Sequence, residues 1–282
     1  MAANSLSSTA RSVAGLGGPP VAGWLIQVVS APMALLADCG SYLVSALTLS
    51  GLNVTETGPV GRSSRVIRGA VDGLRTLLRN RWLASALWCT SLMNVANFAI
   101  IAVILVFATR TLNLTAAGIG TAQGIGAVGA LIGAVIAARL STRIGIFSVV
   151  MIGTVMFSLP FLAFASIPAG SSSTLKITMY AGCEFVVTGA IMLYDININS
   201  VMYKVMPDDM RSRLVGAFSS INYGIRPVGA ILGGLAAEAF GARATIIAAA
   251  CLGLTAVLPL LGSPLRRARS MADVTAADRL GG

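Results

Sequence analysis

Apolar residues run along this chain in long blocks, separated by short stretches that hold nearly all of the charge. Eight blocks stand out, near residues 10–30, 33–53, 83–109, 115–138, 145–168, 175–200, 214–239 and 243–263. Each holds the ~20 mostly apolar residues that a hydrocarbon layer ~30 Å thick demands. None alternates with the period of two expected of a barrel strand, and at this length only a helix satisfies its own backbone in lipid. The pattern predicts an all-α polytopic membrane protein, a helical bundle with eight transmembrane helices.

One connection is long, over 54–82. Val66, Ile67, Ala70, Val71, Leu74, Leu77 and Leu78 fall on one helical stripe, and Arg65, Arg68, Asp72, Arg75 and Arg79 on the other. That periodicity predicts an amphipathic helix lying on the membrane surface as a linker. The block at 115–138 is rich in glycine. Gly120/Gly124 and Gly129/Gly133 are small-xxx-small pairs that let two backbones come close, so this helix needs a tightly packed partner. The glycine-rich first block is the expected one.

Composition agrees with the pattern. The 282 residues are 56% hydrophobic and 11% charged, against roughly 25% charged in a soluble domain; mean hydropathy is +0.84. The net charge of +10 does not point to nucleic acid, because it sits in alternate loops, where it reports topology. One set of loops carries Arg62, Arg65, Arg68, Arg75, Arg79 and Arg81, then Arg139 and Arg143, then Lys204, Arg211 and Arg213; the tail adds Arg266, Arg267, Arg269 and Arg279. The opposite set holds only Arg110, Lys176 and Arg243. Both termini are therefore expected in the cytoplasm and the protein in the plasma (inner) membrane. With no histidine, the usual zinc sites and imidazole relays are excluded, and neither metal nor cofactor is expected. Cys39, Cys89, Cys183 and Cys251 lie in four separate blocks and read as buried free thiols.

The first and seventh blocks echo each other. Ala14-Gly15-Leu16-Gly17-Gly18-Pro19-Pro20-Val21-Ala22-Gly23 is matched by Gly224-Ile225-Arg226-Pro227-Val228-Gly229-Ala230-Ile231-Leu232-Gly233-Gly234. Six helices separate them, which implies a six-helix unit used twice, with the first two blocks closing the first unit. Paired six-helix halves are a transporter architecture. The chain resembles the major facilitator superfamily, helices five to twelve, in the exporter branch that includes enterobactin and macrolide efflux proteins. The resemblance rests on Gly18-Pro19-x-x-x-Gly23, similar to the antiporter motif of helix five. It rests also on Pro207-Asp208-Asp209-Met210-Arg211-Ser212-Arg213, similar to a P-D-x-x-R-G-R segment, and on a degenerate loop motif from Gly133 through Arg139 and Arg143. It implies residues 1–53 as the last two helices of an N-terminal half, 54–82 as the linker, 83–264 as the six-helix C-terminal half and 265–282 as a cytoplasmic tail. It also implies that four helices are absent, supplied by an upstream segment or a partner chain, and that the chain alone does not transport.

Ionisable groups inside a membrane are costly and are functional candidates by default. They are Asp38, Glu184, Asp195 and Arg226. Glu184, near mid-depth, is the proton-coupling candidate, against a carboxyl merely hydrogen-bonded in the bundle. Asp195, near Asn197 and Asn199, suits a polar vestibule facing the cytoplasm. Arg226 keeps its charge and must find Asp195, Glu184 or an anionic substrate. Asp38 fits a structural ion pair or a coupling role equally. Asn94, Asn97 and Gln123 either line a path or bridge helices. Gly15, Gly18, Pro19, Gly23, Pro227, Gly229 and Gly233 form the packing and hinge motif; Arg139, Arg143, Pro207, Asp208, Arg211 and Arg213 form the loop motifs.

These features point to a proton-coupled antiporter exporting small amphiphilic molecules, not to an enzyme. Its partners are then a small-molecule substrate, protons and the lipid bilayer. An inactive remnant is the alternative, in which the glycine face of the seventh block meets lipid and Arg226 loses a partner. An intramembrane aspartyl protease is more distant: Tyr194-Asp195 supplies half of such a site, but no G-x-G-D accompanies it.

Overall fold

The computed structural model describes residues 31–50, 72–207 and 210–267. Besides a helical stretch at 72–79, that range holds α1 (Ala31–Ser50), α2 (Arg81–Val106), α3 (Ala116–Ile144), α4 (Ile146–Ala165), α5 (Ser173–Val205), α6 (Arg211–Phe240), α7 (Ala242–Thr255) and α8 (Val257–Leu261). The block at 10–30, with Gly15, Gly18, Pro19 and Gly23, lies outside the described residues, as do Asp208, most of the linker and the tail from 268.

Local chemistry explains where the helices begin and end. Asn80 starts α2: its Oδ1 accepts from the amides of Trp82 at 2.9 Å and Leu83 at 3.2 Å, which satisfies two donors that have no partner inside the helix. Thr115 caps α3 through the Gly118 amide, and Ser172 caps α5 through that of Leu175. Gly145, at φ 87°, ends α3 and begins α4 within a single residue, a backbone setting that only glycine takes without strain. Replacing Asn80 by Ala should cost about 1 kcal/mol, read as a lower thermal unfolding midpoint of the purified protein. An unchanged midpoint would show that the cap contributes nothing.

α2 runs on into a π-helical turn, Phe107–Thr111, closed by Leu112 N to Phe107 O at 3.1 Å. The turn directs Phe107 inward, edge-on to Phe164 at 5.6 Å, and Phe164 stacks on Tyr180 at 4.9 Å. Arg243 covers Phe107 and donates from Nη2 to the Ile167 carbonyl at 2.7 Å. These contacts tie α2, α4, α5 and α7 together at one end of the bundle.

Five described stretches are long and apolar enough to cross a membrane: Arg81–Thr111, Ala116–Ile144, Ile146–Ala165, Ser173–Val205 and Ala242–Leu261. Their outer faces expose Ile101, Leu105, Val128, Leu131 and Val135, as a lipid boundary requires. The chain is a multi-pass membrane protein. Within α1, a 20-residue helix, Cys39–Thr48 is apolar. Among the fully described helices of sufficient length, α6 falls short by this measure. α6 carries Arg211, Arg213, Ser219, Ser220, Asn222 and Arg226 between its start and its middle, which lowers its hydropathy although its 30 residues exceed the required length.

Lipid tails supply no hydrophobic drive between helices, so close backbone approach has to hold them together. The glycine face of α3 lies on α5: a methyl at Gly129 would fall 2.8 Å from the Phe185 carbonyl carbon, and one at Gly126 would fall 3.0 Å from Glu184 Cβ. Thr188 adds a hydrogen bond from its Oγ1 to the Gly126 carbonyl. Among the described residues the partner of this glycine face is α5, because Phe185 and Gly189 leave its backbone open there; the first block, the expected partner, lies outside the described residues. α6 uses the same device on α2. A methyl at Gly229 would meet the Val95 carbonyl oxygen at 2.6 Å, and one at Gly233 that of Ala99 at 2.5 Å. The glycine face of α6 is therefore covered by α2 rather than turned to lipid, although Gly224 and Gly234, on other faces, have open space around them. α6 stays one continuous helix through Pro227.

Two further expectations change. Of the linker, 72–79 is helical, with Asp72, Arg75 and Arg79 exposed, but Leu77 is fully buried in the bundle core and Gly73 lies against the Arg213 backbone. This end of the linker docks on α6 instead of resting on lipid. Cys89 and Cys183 are buried, but Cys39 and Cys251 are exposed on outward faces.

Candidate functional site

α2 packs along α6 and α7, α5 packs along α3 and α4, and α2 and α5 touch only lightly. A cavity of about 390 Å³ fills the space between α2, α5 and α6, with Phe157 of α4 behind it. Asn94 and Asn97 reach it from α2, Asp195 and Asn199 from α5, and Asn222 and Arg226 from α6. Apolar side chains, among them Met93, Ile191, Met202 and Phe218, complete the wall.

Asn94 organises the polar side. Its Nδ2 donates to the Thr90 carbonyl at 2.9 Å and to Asn222 Oδ1 at 3.1 Å, while its Oδ1 accepts from Arg226 Nε at 3.2 Å. Asn222 returns its own Nδ2 to the Phe218 carbonyl at 2.9 Å. Every polar atom of the Asn94 amide is engaged, so the side chain both bridges helices and lines the cavity. The Arg226 guanidinium lies over two rings, Tyr223 at 4.3 Å and Phe98 at 5.1 Å from the centroids. Two aromatic faces replace part of the hydration that a cation loses at this depth. Asp195 interacts electrostatically with Arg226 across the cavity.

The opposite wall meets α2 through a hydrogen bond between the Thr90 and Tyr194 hydroxyls at 2.7 Å. Tyr194 is fully buried and also meets the Cys89 sulfur, which lies 3.9 Å from Thr154 Oγ1. Asn197 is buried away from the cavity, bonded to the Leu193 carbonyl of its own helix.

Glu184 and Gln123 form a second polar group, apart from the cavity, where α3 meets α5. Tyr180, one turn before Glu184 on α5, lies beside both side chains. Of the candidate residues, then, Asn94, Asn97, Asp195 and Arg226 come together in one cavity, and Glu184 and Gln123 come together elsewhere. Asp38 lies on α1. Arg139 and Arg143 are exposed in the last turns of α3, Pro207 is exposed beyond α5, Arg213 is exposed in the first turn of α6, and Arg211 donates to the Tyr203 carbonyl at 3.3 Å.

Sequence reasoning passed over Thr90, Phe98, Asn222 and Tyr223, and met Tyr194 only as half of a protease motif. Asn222 carries a signal that could have found it, since it stands four residues before Arg226 and so on the same helix face. Thr90 and Asn94 share a face of α2 for the same reason. No such signal marks Phe98 or Tyr223.

The model of the Major Facilitator Superfamily matches residues 1–226 and, in an overlapping match, 87–278. The multidrug efflux pump Tap of Mycolicibacterium fortuitum is 27% identical over 275 residues, 92% of this chain and 63% of that protein. The chain thus spans less than two thirds of the length of the curated relative it matches. No solved structure matches it. A bundle of membrane-length helices enclosing a polar cavity, matched by the family model over most of the chain, belongs to the Major Facilitator Superfamily.

Proposed function

We propose that this chain forms part of a secondary active exporter that moves small amphiphilic molecules across the plasma membrane in exchange for protons. The observation that carries the reading is the cavity between α2, α5 and α6: polar groups that lipid would not tolerate, gathered inside a bundle whose outer faces are apolar. Its volume of about 390 Å³ lies in the range of about 300–1,000 Å³ usual for small-molecule sites. The similarity to a multidrug efflux pump favours export as the direction.

In this reading residues 1–53 end an N-terminal half, 54–82 link the halves, 83–264 are the C-terminal half, and 265–282 are a tail. Both termini face the cytoplasm. The two halves rock about the cavity to give alternating access, with the Pro227 region as a hinge and the loop arginines Arg139, Arg143 and Arg213 on the cytoplasmic face. Glu184 carries the coupling proton, while Asp195, Arg226, Asn94 and Asn97 meet the substrate.

The test is dye accumulation in a host stripped of its own pumps, with the gene expressed in its native genomic context. Lower accumulation that a protonophore restores supports the proposal. Equal accumulation with and without the gene disposes of it, and leaves the inactive remnant.

A further inference from the structure

Arg226 is held in an unusual way. A guanidinium has two planar faces and a rim of five N–H donors. Here Tyr223 and Phe98 lie against the cation within 5.1 Å, and Nε is committed to Asn94. Among the described residues, neither Nη1 nor Nη2 has an acceptor within hydrogen-bond distance. That leaves the terminal edge of the fork, two nitrogens in the geometry that matches a carboxylate or phosphate bidentately. Asp195 shares the cavity and the electrostatic interaction, yet the two groups do not close to a salt bridge. Asn97 lines the same cavity, and its amide likewise has no hydrogen-bond partner among the described residues.

Resting on the exporter reading above, we infer that the cavity selects amphiphiles bearing an oxyanion: a planar carboxylate or similar group seats on the terminal edge of Arg226, and the apolar body lies against Met93, Phe157, Ile191 and Phe218. Asp195 and Arg226 are the charged groups among the residues lining the cavity. Of these, a carboxyl can be neutralised by a proton, whereas the guanidinium keeps its charge. The permanent charge of the cavity is therefore positive. Asn94 is a positioning residue: it fixes Nε and thereby turns the open edge of the fork away from α2.

Three probes with one ring system and three charges separate the alternatives: 2-naphthoate, 2-naphthamide and 2-naphthylmethylammonium. Each is titrated calorimetrically into the full chain in nanodiscs, with empty nanodiscs as the blank. Naphthoate should bind roughly tenfold tighter than the amide. Arg226→Gln should remove that preference and leave amide affinity within about twofold. Arg226→Lys keeps the charge but not the fork, and should restore only part of it. Asn94→Leu should weaken naphthoate alone, and Asn94→Gln should recover some of the loss. Tighter binding of the ammonium, unchanged naphthoate affinity in Arg226→Gln, or no binding of any probe above the blank would each overturn the inference. Because the readout is binding, a chain that prefers the ammonium but still exports dye defeats this inference alone. A chain that prefers naphthoate but exports nothing defeats the exporter reading alone.

Discussion

Gly129→Ala should lower the thermal unfolding midpoint of the purified protein by roughly 10 °C, while Gly234→Ala should leave it unchanged or slightly higher. The same methyl group is added to a helix in both cases, and the surroundings decide the sign. At Gly129 it would lie 2.8 Å from the Phe185 carbonyl carbon and Cα, against backbone that has no rotamer to change. α3 and α5 must part, and because lipid provides no hydrophobic drive to restore the contact, the dispersion energy along the seam is lost with it. Overpacking typically costs about 1–3 kcal/mol and more against rigid backbone; at about 2–4 °C per kcal/mol for a domain of this size, that is the shift expected. At Gly234 nothing lies within 4 Å, and alanine is the better helix former by up to ~1 kcal/mol. A Gly129→Ala protein with an unshifted midpoint would mean that α3 is not seated on α5 as described. Gly233→Ala, 2.5 Å from the Ala99 carbonyl oxygen, should repeat the loss at the α2–α6 seam.

Glu184→Gln should abolish proton-driven efflux and leave membrane insertion intact. Glutamine keeps the size and a hydrogen-bonding terminus beside Tyr180, so the seam between α3 and α5 should survive, but it cannot take up or release a proton. Glu184 does not line the substrate cavity, so binding of a cavity ligand should be nearly unchanged in the same variant. Asp195→Asn should do the reverse, altering ligand affinity before coupling. The measurement is dye efflux driven by an imposed pH gradient, paired with ligand titration on the purified variants. Efflux retained in Glu184→Gln with its usual pH dependence would move the coupling role away from this residue.

Much of the bundle is legible in the chain. The apolar blocks at 83–109, 145–168 and 243–263 fall within a few residues of α2, α4 and the α7–α8 pair, because helix length in lipid is set by the hydrocarbon thickness and by caps such as Asn80, Thr115 and Ser172. The pairing of helices was less legible. Gly129 and Gly133 announce a close contact, but nothing in their spacing names α5 as the partner; that depends on where Phe185 and Gly189 present bare backbone. The cavity was half legible for a related reason. A charge in a membrane block, such as Arg226 or Asp195, stands out by its cost. Asn94 stands out less, and the ring faces of Phe98 and Tyr223 are ordinary apolar residues until the fold lays a guanidinium over them.

The two glycine seams have a mechanical consequence. Gly229 and Gly233 join α6 to α2 backbone to backbone, and Asn94 clasps Asn222 and Arg226 across the same seam; Gly126 and Gly129 join α3 to α5 in the same manner. Each pair is a stiff plank, and the cavity is the gap between them. Across the gap itself, among the described residues, Thr90 and Tyr194 join the planks by a hydrogen bond, and at one end the rings of Phe107, Phe164 and Tyr180 join them as well. The width of the opening is then governed by that hydrogen bond, by the ring contacts at one end and by the packing of α4 and α7 behind, so the walls part most easily at the end away from Phe107.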